Sequence, residues 1–331
     1  MELRTLGRSE VKVTPMAFGA WAVGGWMWGG IEEAEAIKAI QAAFHSGITT
    51  IDNAPVYGFG RSEELVGKAM QGIARDRYQI LTKFGLNWQT KEGEPHFDTV
   101  DNDGKPIKLY KWASKEKVMQ ECDESPRRLK TDYIDLYQIH WPDGSTPVSE
   151  TFEAVQQLIE QGKVRAAGVC NYSVPLVEEA LKIIPLASNQ VPYSLINRNI
   201  EKEIIPHAIS KGMSIIPYSP LQRGLLTGKI KPGHHFKEGD SREGNRFYTD
   251  ENILRTNELL REIRPIAEKY NATLSQVIIN WTVRQPGVGC VLVGARNEKQ
   301  VEENTGALNF TLSRQDLEGI RKSAEKFALA G

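Results

Sequence analysis

Four polar residues with complementary acid–base chemistry follow three successive strand-like runs of the sequence: Asp52, Tyr57, Lys83 and His140. Short apolar runs that alternate with helical segments predict a parallel sheet, and such folds place their chemistry at the carboxyl ends of strands. A phenol is a weak acid near neutrality, with an ordinary pKa of about 10. We expect the Lys83 ammonium to lower the pKa of Tyr57, and the Asp52 carboxylate to hold that ammonium in place. The four residues therefore predict a proton-donating site.

Each of these side chains also has a simpler structural interpretation. Asp52 is compatible with capping the next turn, Tyr57 with an ordinary loop aromatic, and His140 with a hydrogen-bonded core histidine. Lys83 is compatible with a solvated strand end or with a Schiff-base lysine. Because all four fall at the carboxyl ends of neighbouring predicted strands, the sequence favours one shared site.

Eight strand-like runs are separated by helical segments. The predicted strands are Pro15–Gly19, Ile48–Ile51, Tyr78–Thr82, Tyr133–Ile139, Val164–Val169, Leu186–Val191, Met213–Pro217 and Cys290–Val293. The predicted helices cover 31–44, 62–70, 114–129, 150–161, 174–184, 201–211, 251–270, 274–284 and 298–305, and a terminal helix begins at Ser313. Residues 85–111 and 221–250 are too polar to be core and are predicted to be long loops that serve the site.

This alternation predicts one (β/α)8 TIM barrel over residues 1–331 as a single domain, with a β-hairpin at Leu3–Val13 before it and an extra helix after it. The alternative is an open doubly wound sheet. A dinucleotide fold of that kind should carry GxGxxG after its first strand, and residues 24–30, GGWMWGG, do not match that pattern.

Composition excludes several classes of protein. The chain has 331 residues, a net charge of −1, 40% hydrophobic residues and 25% charged residues, which is ordinary for a globular protein. The near-neutral charge gives no reason to expect nucleic acid or an anionic membrane as a partner. Three cysteines without CxxC spacing, and no apparent signal peptide, predict a cytoplasmic protein. His207, His234 and His235 lack partners at ligand spacing, so no metal site is expected.

Over nearly its whole length, the sequence resembles a known family, the aldo-keto reductases. The matching motifs are Asp52-x-Ala54-x-x-Tyr57-Gly58, the strand end at Lys83, the run from Asp132 through His140 to Pro142, Gly168-Val-Cys-Asn171-Tyr, Tyr218-Ser-Pro-Leu221, and Gly294-Ala-Arg296 running on to Glu303-Asn304. The resemblance implies a barrel that binds NADPH without a Rossmann fold and reduces aldehydes or ketones to alcohols by direct hydride transfer. The chain is most similar to bacterial members with a short carboxyl tail.

The resemblance also implies a role for each matching residue. Tyr57 would be the general acid, Lys83 would lower its pKa, Asp52 would pair with Lys83, and His140 would orient the substrate oxygen. The implied cofactor contacts are Asn171 and Gln190 on the nicotinamide carboxamide, Tyr218 on the ring, Ser219, Leu221 and Arg223 on the pyrophosphate, Gly294 and Arg296 near the 2′-phosphate, and Gln300, Glu303 and Asn304 at the adenosine end. Each could instead be an ordinary turn, capping or surface residue.

The sequence departs from the family pattern at four positions. Asn53 replaces a usual Thr, Cys170 replaces a usual Ser, and Gly294 and Gln300 replace the Lys and Arg that many members place on the 2′-phosphate. The preference for NADPH therefore depends on Arg296, and NADH remains possible.

Five tryptophans flank the predicted mouth and are expected either to wall an apolar pocket or to serve as half-buried packing: Trp21, Trp26, Trp28, Trp88 and Trp141. The substrate would be a small carbonyl compound, and the protein would act as a monomer or a homo-oligomer. Two other functions stay open at this level. One is an NADPH-binding regulatory protein similar to the β subunits of potassium channels, and the other is a Schiff-base aldolase that uses Lys83.

Overall fold

The computed structural model describes residues 2–28, 30–236 and 239–327. Its strands are β1 (Arg4–Thr5), β2 (Lys12–Val13), β3 (Met16–Gly19), β4 (Thr50–Asp52), β5 (Gln79–Phe84), β6 (Leu86–Asn87), β7 (Glu94–Val100), β8 (Pro106–Lys111), β9 (Ile134–Ile139), β10 (Val164–Cys170), β11 (Leu186–Pro192), β12 (Ser214–Tyr218) and β13 (Val291–Val293). Its helices are α1 (Glu33–His45), α2 (Arg61–Ala69), α3 (Lys115–Leu129), α4 (Val148–Glu160), α5 (Val174–Ala180), α6 (Ile204–Lys211), α7 (Asp250–Lys269), α8 (Leu274–Val283), α9 (Glu298–Thr305) and α10 (Arg314–Lys326).

Eight of these strands form one parallel sheet in the spatial order β12-β11-β10-β9-β5-β4-β3-β13. Ile215 of β12 forms a parallel bridge with Val288, just before β13, so the two ends of the sheet meet and the barrel closes. Helices connect most of the successive strands, and α10 follows the barrel. The predicted (β/α)8 barrel with an amino-terminal hairpin and an extra carboxyl-terminal helix is confirmed.

The hairpin of β1 and β2 plugs the amino-terminal end of the barrel. Leu6, Val11 and Val13 are buried against side chains that point inward from the strands, among them Leu81 and Leu136. Because side chains alternate along a strand, the residues two positions further on in β5 and β9 also point inward. The interior therefore changes from an apolar layer above the hairpin to a polar layer at the carboxyl ends of the strands.

The prediction of a long loop over residues 85–111 is wrong. It contains β6, β7 and β8, which form a three-stranded antiparallel sheet in the order β6-β8-β7. The turn between β7 and β8 is held by Asp101, whose side chain accepts hydrogen bonds from the backbone N–H groups of Asp103 and Lys105, both at 2.9 Å. Alternating apolar residues on both sides of Asp103-Gly104 are a hairpin signal, and the polar composition obscured it.

Most helix limits lie within two or three residues of their prediction, and the capping signals explain several of them. Ser114 accepts a hydrogen bond from the N–H of Lys117 and begins α3, and Ser313 accepts one from Asp316 and begins α10. α6 begins at Ile204 rather than at the predicted residue 201, because Pro206 then falls in the first turn, where its missing N–H costs nothing. α5 ends at Ala180, four residues before its predicted end.

None of the described helices is both long and apolar enough to cross a bilayer.

The apolar layer beneath the site should dominate stability. Replacing Leu81, which is fully buried inside the barrel, with Ala should lower the free energy of unfolding by about 2–5 kcal/mol, because it leaves a cavity. Leu254→Ala is the matched control, since Leu254 is 50% exposed and should change stability by only about 0.5 kcal/mol. Urea unfolding monitored by fluorescence measures both, and similar losses in the two variants would contradict this packing.

Candidate active site

The polar layer is organised around one buried ammonium group. Lys83 Nζ donates hydrogen bonds to Asp52 Oδ1 at 2.7 Å, to the backbone oxygen of Asn53 at 2.8 Å and to the hydroxyl oxygen of Tyr57 at 3.1 Å. Lys83 and Asp52 are fully buried. Three acceptors for three ammonium hydrogens satisfy the group completely, and the carboxylate compensates its charge.

The strands fix this arrangement through their register. Asp52 ends β4 and Leu81 of β5 lies beside it, which brings Lys83, two residues further on, to the same inner face. β5 continues to Phe84 and ends two residues later than predicted. Lys83 therefore lies inside this strand and not after it. The shift leaves its predicted position at the carboxyl end of the barrel intact.

A tight turn after β4 carries Tyr57 back over Lys83. The Tyr57 N–H donates to the backbone oxygen of Ala54 at 3.1 Å, and Gly58 follows with a φ of 67°. A Cβ atom at position 58 would lie 2.2 Å from the backbone oxygen of Gly24, so only glycine fits there. This contact joins the Tyr57 turn to the tryptophan-rich segment that begins at Trp21.

Two opposing effects set the acidity of Tyr57. Desolvation raises the pKa of Tyr57 to about 12, and the opposing effect of the Lys83 ammonium only partly offsets it. The lowering effect expected of Lys83 is thus present, and desolvation outweighs it in the chain alone. The phenol keeps its proton over the whole physiological pH range, which is the state that a proton donor requires.

His140 lies directly after β9 and faces the same phenol. Its ring meets that of Tyr57 edge to face with centroids 5.7 Å apart. Burial and the nearby Lys83 ammonium hold the pKa of His140 well below its usual range. The imidazole is therefore neutral near pH 7, with one nitrogen that donates and one that accepts.

A chain of hydrogen bonds connects this centre to the next strands. The Tyr218 hydroxyl donates to Asn171 Oδ1 at 2.9 Å, and Asn171 Nδ2 donates to the backbone oxygen of His140 at 3.1 Å. Asn171 has a φ of 59°, a left-handed conformation that asparagine tolerates better than most residues. Gln190 Nε2 donates to Asp52 Oδ2 at 2.8 Å. Gln190 thus binds the carboxylate partner of Lys83, and Asn171 and Tyr218 connect to His140.

The segment after β12 turns back over the barrel mouth. Ser219 and Arg223 both have positive φ values, 56° and 46°. The Arg223 guanidinium lies 5.1 Å from the ring centroid of Trp21 and donates to the backbone oxygen of Ser241 at 2.9 Å. Leu221 is half-buried beside this turn. Arg223 thus links the segment to the aromatic residues around Tyr57.

A second group of predicted residues surrounds the start of α9. Asn304 Nδ2 donates to the backbone oxygen of Gly294 at 3.3 Å, and the Arg296 N–H donates to Gln300 Oε1 at 2.8 Å. Glu303 Oε2 lies 3.7 Å from the Lys229 ammonium. The Arg296 side chain is exposed.

The predicted cofactor residues thus form two groups, one around Tyr57 and Lys83 and one at the start of α9. Among the residues that the structure describes, no hydrogen bond or ring contact joins this second group to Tyr57 or Lys83.

The five predicted tryptophans all lie in the aromatic surroundings of Tyr57. Trp21 stacks on Tyr57 with ring centroids 6.1 Å apart and an interplanar angle of 29°. The other contacts are Trp28 against Trp21 at 5.5 Å, Trp26 against Trp21 at 6.4 Å, Trp88 against Phe59 at 5.6 Å and Trp141 against His96 at 5.2 Å. Trp26 is only 8% exposed and donates to Thr99 Oγ1 at 3.1 Å, so it mainly packs the wall.

Sequence reasoning missed several residues around the mouth. His96 and Phe97 lie on β7, and Phe97 stacks on Trp26 with centroids 6.1 Å apart. The signal was present in the alternation along 94–100, which a loop assignment concealed. Gln138 of β9 was also missed, because a glutamine within a buried strand carries no motif. The described residues contain no group of three or more His, Cys, Asp or Glu side chains that could hold a metal ion.

Comparison with known proteins agrees with this geometry. The model described as "Aldo/keto reductase family" matches residues 15–325. An NADH-specific methylglyoxal reductase of Escherichia coli is 34% identical over 325 residues, which cover 97% of each chain. A probable voltage-gated potassium channel subunit beta of Arabidopsis thaliana is 30% identical over 320 residues, covering 93% of this chain and 92% of that protein.

The similarity extends to three dimensions. The structure of a glycerol dehydrogenase from Gluconobacter oxydans matches with a TM-score of 0.88 and 32% identity, covering 98% of this chain and 95% of that one. The chain belongs to the aldo/keto reductase family, a family of oxidoreductases that act on carbonyl compounds.

Proposed function

We propose that this protein is an NAD(P)H-dependent reductase that converts aldehydes or ketones to alcohols, with Tyr57 as the general acid. One observation carries the proposal. Lys83 Nζ lies 3.1 Å from the Tyr57 hydroxyl oxygen and 2.7 Å from the buried Asp52 carboxylate. A protonated phenol beside a fixed cation is suited to giving up its proton when negative charge develops on a carbonyl oxygen.

Each of the four central residues, Asp52, Tyr57, Lys83 and His140, has a distinct role in proton donation. Tyr57 gives its proton to the carbonyl oxygen, and the Lys83 ammonium stabilises the phenolate that remains. Asp52 holds Lys83 in its charged form, which also makes Lys83 a poor amine nucleophile and argues against a Schiff-base aldolase. Neutral His140 lies beside the phenol, where it can donate a hydrogen bond to the substrate oxygen and orient it.

The donor set fits a nicotinamide dinucleotide. Gln190 uses its NH₂ group on Asp52, so it can offer only its carbonyl oxygen, which suits the NH₂ of a carboxamide. Asn171 and Tyr218 lie next to it, and Arg223 and Arg296 supply the guanidinium groups that phosphates favour. The remaining contacts would come from Ser219, Leu221, Gly294, Gln300, Glu303 and Asn304. When bound, the dinucleotide would supply the hydride.

The surroundings of Tyr57 favour a substrate with apolar surface. Trp21, Trp28, Trp88 and Trp141 would form most of the pocket wall, and Trp26 would support them. We place the whole chain in one catalytic domain, active as a monomer or homo-oligomer. Three buried free cysteines suit the cytoplasm, which keeps thiols reduced.

A second candidate function is binding of the dinucleotide with little turnover, in the service of a partner protein. The similarity to a probable potassium channel subunit beta favours it. A steady-state assay with reactive aldehydes at high enzyme concentration separates the two candidates. Oxidation of NADPH or NADH in proportion to enzyme supports the reductase, and no oxidation despite tight binding supports the regulatory protein.

Replacing Tyr57 with Phe removes the transferable proton and keeps the ring that stacks on Trp21. We expect carbonyl reduction to fall by at least about 100-fold, with dinucleotide binding retained. Tyr110→Phe, a change of the same kind on β8, is the control and should leave the rate unchanged. Reduction rates and fluorescence titration with NADPH provide the two measurements. If Tyr57→Phe keeps its full rate, Tyr57 is not the acid.

Arg296 should determine the preference between the two dinucleotides. Arg296→Ala should weaken NADPH roughly tenfold or more, because a charge-assisted contact to the 2′-phosphate is lost, and should change NADH little. Arg314→Ala, which removes another exposed guanidinium, is the control. Fluorescence titration with each nucleotide measures the dissociation constants. Equal losses for NADPH and NADH would assign the 2′-phosphate to another residue.

A further inference from the structure

The polar layer of the barrel contains a second buried amide that none of the predicted roles uses. Gln138 lies on β9 directly beside Lys83 of β5, and it is fully buried. Its Nε2 atom lies 3.5 Å from Asp52 Oδ2, and its Oε1 atom accepts from Gln190 Nε2 at 3.3 Å. The Cys170 thiol lies 3.9 Å from the same Oε1. Gln138 thus contacts three members of the layer at once.

Chemistry fixes the orientation of both amides. Asp52 Oδ1 forms an ion pair with Lys83 at 2.7 Å, and a carboxylate can only accept hydrogen bonds. The groups of Gln138 and Gln190 that face Asp52 Oδ2 must therefore be their NH₂ groups, which agrees with the placement of both Nε2 atoms. One carboxylate oxygen is then held by Lys83 and the other by two amides.

The barrel wall makes room for this side chain. Gly168 of β10 lies beside Gln138, and a Cβ atom at position 168 would come within 3.0 Å of Gln138 Cγ and 2.9 Å of Ser188 Oγ. A larger residue there would push Gln138 away from Asp52. The absence of a side chain at Gly168 and the presence of an amide at Gln138 are therefore two parts of one arrangement.

We infer that Gln138 is a positioning residue for the proposed reduction, which fixes the Asp52 carboxylate directly and through Gln190. The inference rests on the proposed function, since it concerns how the charge beside Tyr57 is held. A carboxylate anchored at Oδ2 keeps Oδ1 on the Lys83 ammonium, and this keeps the ammonium next to the phenol. Without the two amides, Asp52 could rotate about its χ2 angle and draw Lys83 away from Tyr57.

Two substitutions test this role. Gln138→Glu keeps the size of the side chain and replaces the NH₂ group with an oxygen. Asp52 and Cys170 are the titratable groups nearest to position 138, and Lys83 is its neighbour on β5. Tyr57 lies next to Lys83, and Cys290 lies near Asp52. Burial and the Asp52 charge should raise the pKa of that carboxyl above the ordinary value of about 4.3. Gln138→Met has a similar volume and cannot ionise, so it measures loss of the amide alone.

The expected result for Gln138→Glu depends on pH in a stated direction. At low pH the protonated carboxyl can donate to Asp52 Oδ2 as the amide does, and kcat should approach the wild-type value. As pH rises through its raised pKa, the donor is lost and a second negative charge holds the proton on Tyr57, so kcat should fall roughly tenfold or more. Gln138→Met should lose roughly tenfold at every pH. The dissociation constant for NADPH should change far less than kcat in both variants.

The controls separate positioning from simple packing. Gln285 is another buried glutamine, whose amide donates to the backbone oxygen of Trp281 at the end of α8. Gln285→Glu and Gln285→Met should destabilise the protein on urea unfolding while leaving the pH profile of kcat unchanged. Gln138 variants whose kcat follows the wild-type pH profile, with a loss only in stability, would overturn the inference.

The two proposals fail in different ways. If Tyr57→Phe abolishes reduction and Gln138→Glu shows no new pH dependence, only the role of Gln138 is wrong. If Tyr57→Phe retains full activity, the proposed proton donor itself is wrong, whatever the Gln138 variants do. If Gln138→Glu does not fold, Gln138→Met decides alone, because a kcat loss with NADPH affinity retained supports positioning and an unchanged kcat refutes it.

Discussion

The structure depends on keeping one lysine charged in a place where water cannot reach it. Burying an ammonium group costs several kcal/mol unless a counter-charge and complete hydrogen bonding compensate it. Lys83 meets this condition because β4 and β5 are neighbours and their register places Asp52 at 2.7 Å from its Nζ. The hairpin that plugs the other end of the barrel keeps solvent away from below. Removal of either partner would leave a buried charge without compensation, so the pair constrains both strands.

The burial that desolvates Lys83 and Asp52 also determines the pKa of Tyr57. Desolvation raises the pKa of the phenol to about 12, more than the ammonium lowers it. In the chain alone the phenol therefore keeps its proton, and in the proposed reaction it would release that proton only when negative charge develops beside it. Preorganised dipoles and charges act in this way, because they stabilise the charge that appears during reaction without rearranging. A neutral His140 adds a second oriented group and no further positive charge.

Sequence alone predicted the barrel and the four central residues, because alternating strands and helices and polar strand ends are local patterns. It failed for features that depend on distant contacts. The desolvation that outweighs Lys83 at Tyr57 comes from the whole mouth, and the role of Gln138 comes from strand register, which joins it to a residue 86 positions away. The hairpin over 94–111 was missed because its polar face suggested a loop, although its apolar face packs against the tryptophans.

Trp21 connects the acid to the part of the chain that would hold a dinucleotide. The Trp21 ring lies against Tyr57 at the mouth of the barrel. The Arg223 guanidinium lies over the same ring, 5.1 Å from its centroid. Arg223 in turn donates to the backbone oxygen of Ser241, and Arg242 lies over Trp28, which packs against Trp21. Two guanidinium groups therefore link this part of the chain to the ring beside Tyr57. A phosphate bound by Arg223 would neutralise a cation that lies one ring away from Tyr57. If Arg223 binds a cofactor phosphate as proposed, cofactor binding would be coupled to the electrostatics at Tyr57 through this aromatic contact, in addition to the hydrogen bonds of Asn171 and Gln190.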